Sequence, residues 1–544
     1  MTIVFQPKLE LAAGAPAPDS FSESDGLVPP DSFVVSRNRN GEVVSTYGER
    51  IWDFTAYHPE QRPLKLYFRY WGDEEESSVR DQLSREMRML AFILVWKREG
   101  PPLAVRALRR NMCSLAALAR YAENHKCRIQ DVLNNADYLV DLAETTGTQM
   151  PRWLDWVLQN LQRLGPARLG FTIVGTTVQK RLRILAQNYK ATIKQHAPMP
   201  TRVYSAVLAA LSKELTDWEC AATPYLTLMS ECAKNPLLGR GKSAQDKISQ
   251  ALGLSKPEYQ PEFDAVVDRH SVRPFMEAHG LTNSLMGLMH GLLEVQVAAK
   301  LTVQAYTGMR HDEAETLPYD CLETTVIGGQ THYIICGKTT KLNHGLIQRT
   351  KWVTNQEGHR AALVAREIAE IIYEVCGVDP RNNETHGAAR PLFVAASYLQ
   401  QADRKACLDR GVFLPTHSAI SSCPELRNRL QPTIQEEDLR ELEHIDPHRA
   451  WRSEAKFAIG KPWTLTSHQF RRSLAIYAQA SGLVTLPSLR RQLHHLTVEM
   501  SQYYARGSAY AKDFIGDDKD HFAREWQNTQ AECVFRTKVT EVSG

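Results

Sequence analysis

The sequence predicts a multidomain, mainly α protein: a basic helical domain, then a larger mixed α+β domain with a small antiparallel sheet. Three observations predict it. Apolar residues recur at helical spacing through residues 80–97, 103–124, 203–218 and 285–306. Two short β-like runs, 331–336 and 348–353, flank a loop rich in Lys, Asn and Gly, the pattern of a hairpin. The length, 544 residues, exceeds what one compact core holds.

Composition narrows the class. Hydrophobic content of 43% and charged content of 23% are ordinary for a globular protein. The longest strongly apolar run, Ala91 to Trp96, falls far short of a membrane span, and the N-terminal residues show no basic-then-apolar secretory pattern. Ten cysteines occur without a Cys-x-x-Cys pair, which argues against a structural zinc site and a disulfide framework and suits a reducing cytoplasm. The net charge is only +3, but residues 79–194 carry 19 Lys and Arg against 9 Asp and Glu. A basic domain joined to a mildly acidic remainder is the footprint of a grip on a phosphate backbone.

In chain order, residues 1–73 read as an N-terminal extension, partly flexible because 12–33 is rich in Ala, Pro, Ser and Asp. Residues 74–195 read as the helical domain; its second helix sets Arg106, Arg109 and Arg110 within about one turn of each other, with Arg120 further on. An isolated run of this kind is more often a solvated face than a DNA contact. Residues 196–265 read as a helical appendage and linker, broken near Pro224 and loosening into Gly- and Pro-containing stretches. Residues 266–544 form the mixed domain, with an insertion at about 378–462 that either contacts a partner subunit or is an elaborated loop.

Within the last domain a long helix ends in Thr307-Gly308-Met309-Arg310-His311-Asp312-Glu313, where Gly308 stops the helix and Arg310 emerges past the break. Lys338 and Lys341 follow on the hairpin. Further on come His468-x-x-Arg471, on one helix face with Thr466 or Ser467 as cap, then Leu493-His494-His495 and Tyr503-Tyr504. Taken singly, each has a bland reading: a helix stop, a soluble strand edge, a surface histidine.

Together, in this order, these boxes resemble the tyrosine recombinase (phage integrase) family. One position departs: His494 stands where the family usually has Gly. Counting nine residues from His495 selects Tyr504, whereas counting from His494 selects Tyr503. The resemblance implies a helical core-binding domain ahead of a catalytic one, both closing on duplex DNA. It implies a site-specific recombinase of a mobile element that cuts and rejoins strands through a 3′-phosphotyrosyl intermediate, with no metal, cofactor or ATP. In that reading Tyr504 is the nucleophile, and Arg310 and Arg471 neutralise the non-bridging oxygens. Lys338, or second Lys341, protonates the leaving 5′ oxygen. His468 and His495 hold or move protons at the phosphate, and Glu313 braces Arg310. Arg106, Arg109, Arg110, Arg120 and Lys341 contact DNA. The implied partners are double-stranded DNA with specific recombination sites, three further copies of the chain, and accessory proteins; the implied location is the bacterial cytoplasm, on the nucleoid when bound. The element after the nucleophile, with Phe522, Trp526 and Phe535, docks on a neighbouring protomer or on its own domain. A catalytically degenerate DNA-binding protein on the same fold and a type IB topoisomerase are the competing readings.

Overall fold

The computed structural model describes residues 3–494 except 13, 59–62, 73–74, 147–148, 254–257, 328, 340–347, 382–389, 401–412 and 483, and it also describes Ser508. The chain is mainly helical with small antiparallel sheets, and it divides into two compact units, Met1–Gln195 and His196–Gly544. Among the described residues no helix is long and apolar enough to cross a membrane.

Among the described residues, the first unit joins three two-stranded antiparallel sheets to six α-helices. The strands are β1 (Val4–Phe5), β2 (Phe21–Ser22), β3 (Val34–Arg37), β4 (Val43–Thr46), β5 (Ile51–Asp53) and β6 (Lys65–Tyr67). The helices are α1 (Ser78–Phe92), continued by a π-helical turn Ile93–Lys97, then α2 (Val105–Asn124), α3 (Ile129–Leu133), α4 (Ala136–Thr146), α5 (Met150–Leu169) and α6 (Thr176–Thr192).

The expectation of a partly flexible extension at 1–73 is corrected here. Phe21 is 1% exposed and meets Phe92 edge-on at 5.1 Å, while Phe33 meets Trp96 at 5.5 Å. Aromatic side chains bury large apolar areas, so a stretch poor in aliphatic residues is anchored by a few rings. Residues 1–73 and 74–195 share one core.

The second unit contains α7 (Thr201–Lys234), α8 (Lys242–Ala251), α9 (Phe263–Arg269), α10 (Arg273–Ala278), α11 (Leu285–Thr307) and α12 (His311–Glu315). It continues with the sheet β7 (Leu322–Ile327), β8 (Gln330–Thr339) and β9 (Gln348–Thr354), then α13 (Gln356–Val375), α14 (Pro424–Leu430), α15 (Glu436–Ile445), α16 (Ser467–Ala480) and α17 (Leu486–Gln492). The sheet is antiparallel in the order β7-β8-β9, one strand more than the hairpin expected, and β8 runs on through Gly337 and Lys338, which the sequence placed in the loop.

One further expectation changes. Residues 196–265 are no linker: α7 is continuous across Pro224, and Trp218, Tyr225 and Leu228 lie in one core with Leu288, Leu292 and Val295 of α11 and Ile368 and Ile372 of α13. The insertion, expected to contact a partner subunit or to be an elaborated loop, contributes described side chains to the core of the second unit. Its Leu426, Leu439, Leu442 and Trp451 pack with Val203 and Leu211 of α7, Leu301 of α11 and Ile476 of α16. Arg429 of α14 fastens it further, with Nε 2.7 Å from Glu214 Oε1 and Nη2 2.8 Å from Glu294 Oε2.

Candidate functional site

The long apolar helix α11 ends at Gly308, whose left-handed backbone (φ 70°) is the conformation in which glycine commonly closes a helix. A side chain is excluded there for a second reason: a Cβ on Gly308 would lie 2.5 Å from Leu493 Cδ2 and 2.8 Å from Leu474 Cδ2. The break leaves Arg310 at the start of α12, with its backbone N–H donating to Glu313 Oε2 at 2.8 Å and its Nη1 donating to Glu313 Oε1 at 2.7 Å. Both residues are buried, 8% and 5% exposed. Thr339 of β8 adds a hydroxyl bond to the same carboxylate, 2.8 Å from Oε1. Burial by itself pushes the Glu313 carboxyl up, but the Arg310 and Arg471 guanidinium groups and the bonds from the Arg310 amide and Thr339 hold it below the ordinary range.

Arg471 comes to this place on α16. Thr466 is the N-cap, and its N–H donates to Gln469 Oε1 at 2.9 Å. Phe470 and Leu474 turn the same helix face inward, and Arg471 is only 1% exposed. Its Nη1 donates to Gly308 O at 2.6 Å, and its Nη2 donates to Leu493 O. The guanidinium therefore ties the end of α11 to the end of α17. Gln492 makes the same connection one residue earlier: its amide donates to Thr307 O (2.9 Å) and Val353 O (2.8 Å), and its Oε1 accepts from Val353 N (3.2 Å).

His494 has a left-handed backbone, φ 48°. This is the position at which the resembled pattern has Gly, and a left-handed residue is what glycine accommodates without strain. The His494 ring lies edge-on to Trp352 at 4.8 Å, and its Nε2 is 2.8 Å from Thr350 Oγ1 and 3.2 Å from Lys351 O. Burial, then the Arg471 and Arg310 charges, lower its pKa; Glu313 and the Lys351 carbonyl act the other way.

The structure thus brings Arg310, Glu313 and Arg471 together. It places Lys338 elsewhere. Successive strand residues face opposite sides, and both neighbours of Lys338 face inward: Thr339 to Glu313, and Gly337 so tightly that a Cβ would come 2.9 Å from Leu317. Lys338 therefore projects from the other face, across from Arg349.

His468, one turn before Arg471, is exposed and stacks on His196 with ring centroids 4.9 Å apart. Lys341, His495, Tyr503, Tyr504, Phe522, Trp526 and Phe535 lie outside the described residues. In the first unit Arg109, Arg110 and Arg120 are exposed on α2, and Arg120 Nε donates to Tyr70 O at 2.9 Å. Arg106 is on the same helix, and its side chain is outside the described set. Among the described residues no group of three His, Cys, Asp or Glu side chains is placed to hold a metal ion.

Thr339, Thr350, Gln492 and His196 carry no motif that marks them in the sequence. Strand alternation beside Lys338 was a usable signal for Thr339; the other three are single polar residues whose partners come from distant elements. Compared with known protein families and with curated proteins, the chain matches no family model and no curated sequence.

Proposed function

We propose that this chain is a site-specific DNA recombinase that cuts and rejoins strands through a tyrosine, acting on duplex DNA as a tetramer in the cytoplasm of a bacterium and serving a mobile element. The observation that carries the reading is the meeting of Arg310 and Arg471, from opposite ends of the domain, around one buried carboxylate and beside the residue preceding His495.

Phosphodiester exchange needs a positioned nucleophile, neutralisation of the non-bridging oxygens, and a proton for the leaving group. Two guanidinium groups, charged at any physiological pH and donating in a planar fork, suit the second task. The Tyr504 oxygen attacks phosphorus as its proton passes to His468; the bond from phosphorus to the 5′ oxygen breaks, and a hairpin lysine protonates that oxygen. Rejoining reverses these steps, so the phosphotyrosyl bond conserves the energy of the one it replaced. Lys341 suits the acid role better than Lys338, because Lys338 faces away from Arg310. The left-handed backbone at His494 favours the register in which His495 and Tyr504 complete the pattern.

A second reading, a DNA-binding protein that has lost catalysis, draws on one observation: Arg471 is 1% exposed and spends donors on two backbone carbonyls. The test is a nicked suicide duplex drawn from the DNA flanking the gene. The expected result is a covalent protein–DNA adduct that disappears in Tyr504→Phe and persists in Tyr503→Phe. Sequence-specific binding with no adduct would favour the second reading.

A further inference from the structure

The second unit begins with a short segment, residues 196–200, that lies along α16. Met199 N donates to Ser473 Oγ at 2.8 Å, and Met199 O accepts from the Tyr477 hydroxyl at 2.6 Å. Thr201, at the start of α7, is fixed in turn: its N–H donates to Glu441 Oε1 at 2.9 Å and its hydroxyl to Oε2 at 2.8 Å. Ala197 and Met199 are both buried. The backbone is therefore anchored just beyond His196, and it presents that residue to the first turn of α16. There the His196 ring stacks on His468, with centroids 4.9 Å apart and planes inclined by 22°.

The partner in this stack matters because of what His468 is asked to do. An exposed histidine in the first turn of a helix has several rotamers open to it, and each unproductive one lowers the fraction of molecules placed to take a proton. His468 is exposed in that position. A flat ring stacked against it and carried on an anchored backbone narrows that choice. Charge adds a condition: two imidazolium rings face to face repel, so a ring that backs a proton acceptor must itself stay neutral. Partial desolvation, then the charges of Lys456, Arg472 and Arg449, hold His196 below the ordinary histidine range, which leaves it neutral near pH 7.

We propose that His196 is a positioning residue for His468: its ring, held by the anchored segment, keeps the His468 imidazole oriented to accept the proton of the nucleophile. The inference rests on the recombinase reading above and adds to it a residue that lies outside the pattern of boxes.

The test is the single-turnover rate of covalent-adduct formation on the suicide duplex by the full chain, with thermal melting of each variant alongside. His196→Ala is expected to slow the adduct about tenfold, as small misplacements of a catalytic group do. His196→Phe, which keeps a flat ring, should recover most of that rate. In a His468→Ala background, His196→Ala should cause no further loss, because His196 acts only through His468. An unchanged rate in His196→Ala overturns the proposal, as do losses that multiply in the double variant or a lowered melting temperature that accounts for the loss. A wild-type chain that forms no adduct overturns the recombinase reading and the proposal with it; any of the other adverse results, with a wild-type adduct present, overturns the proposal alone.

Discussion

At the scale of single residues, His494 is a place where the usual order of substitutions reverses. A non-glycine residue in the left-handed region costs about 1–2 kcal/mol. His494 offsets this through its bond to Thr350, about 1 kcal/mol net, and its edge-on contact with Trp352, about 0.5–1.5 kcal/mol. Alanine keeps the strain and loses both contacts, whereas glycine loses the contacts and the strain together. His494→Gly is therefore expected to be more stable than His494→Ala by about 1 kcal/mol in urea denaturation, the inverse of the ordinary helix ranking. The pH dependence has a definite sign as well. The folded pKa of His494 lies below the ordinary 6.5, so the unfolded chain takes up the proton first and stability is lost as pH falls below that value. Both variants lack this component, so the gap between wild type and His494→Gly should narrow from pH 8 to pH 5.5.

At the scale of elements, the junction of α11 with α17 decides whether the two arginines meet. Gly308 combines positive φ with close approach of Leu474 and Leu493. Gly308→Ala adds backbone strain to overpacking, about 2–5 kcal/mol together, and it displaces the carbonyl that holds Arg471. A lower urea midpoint, together with loss of DNA cleavage, is the expected outcome.

Much at this scale was legible in the sequence. The helix α11, its glycine stop and the arginine beyond it follow from apolar periodicity and backbone chemistry, which are local. The third strand was missed because β7, Leu-Glu-Thr-Thr-Val-Ile, lacks clean alternation, and its middle residues are exposed or half-buried. The length of β8 was missed because Gly337 and two flanking polar residues look like a turn. Gly337 is small because Leu317 and Trp352 press against it, and that pressure comes from elsewhere in the chain.

At the scale of the whole molecule, the boundary at residue 195 was legible as the end of the basic helical stretch. The roles of 196–265 and of the insertion were not. Pro224 and the polar residues between α13 and α16 read as breaks. Yet Arg429 reaches Glu214 and Glu294 on two separate helices, and Thr201 N donates to Glu441 Oε1 at 2.9 Å. Such pairs are set by tertiary packing and leave no periodic trace in sequence.

The central claim is also a whole-molecule one: packing delivers Arg310 and Arg471 to the charge on a single phosphate. The direct measurement is covalent-adduct formation by Arg310→Ala and Arg471→Ala on two suicide substrates, one with the natural scissile phosphate and one with a neutral methylphosphonate in its place. Losing one such donor costs on the order of 3 kcal/mol, about a hundredfold in rate, on the natural phosphate. The account predicts that most of this loss is recovered on the methylphosphonate, where there is no charge to neutralise. Equal losses on both substrates would contradict it and leave the arginines as parts of the scaffold alone.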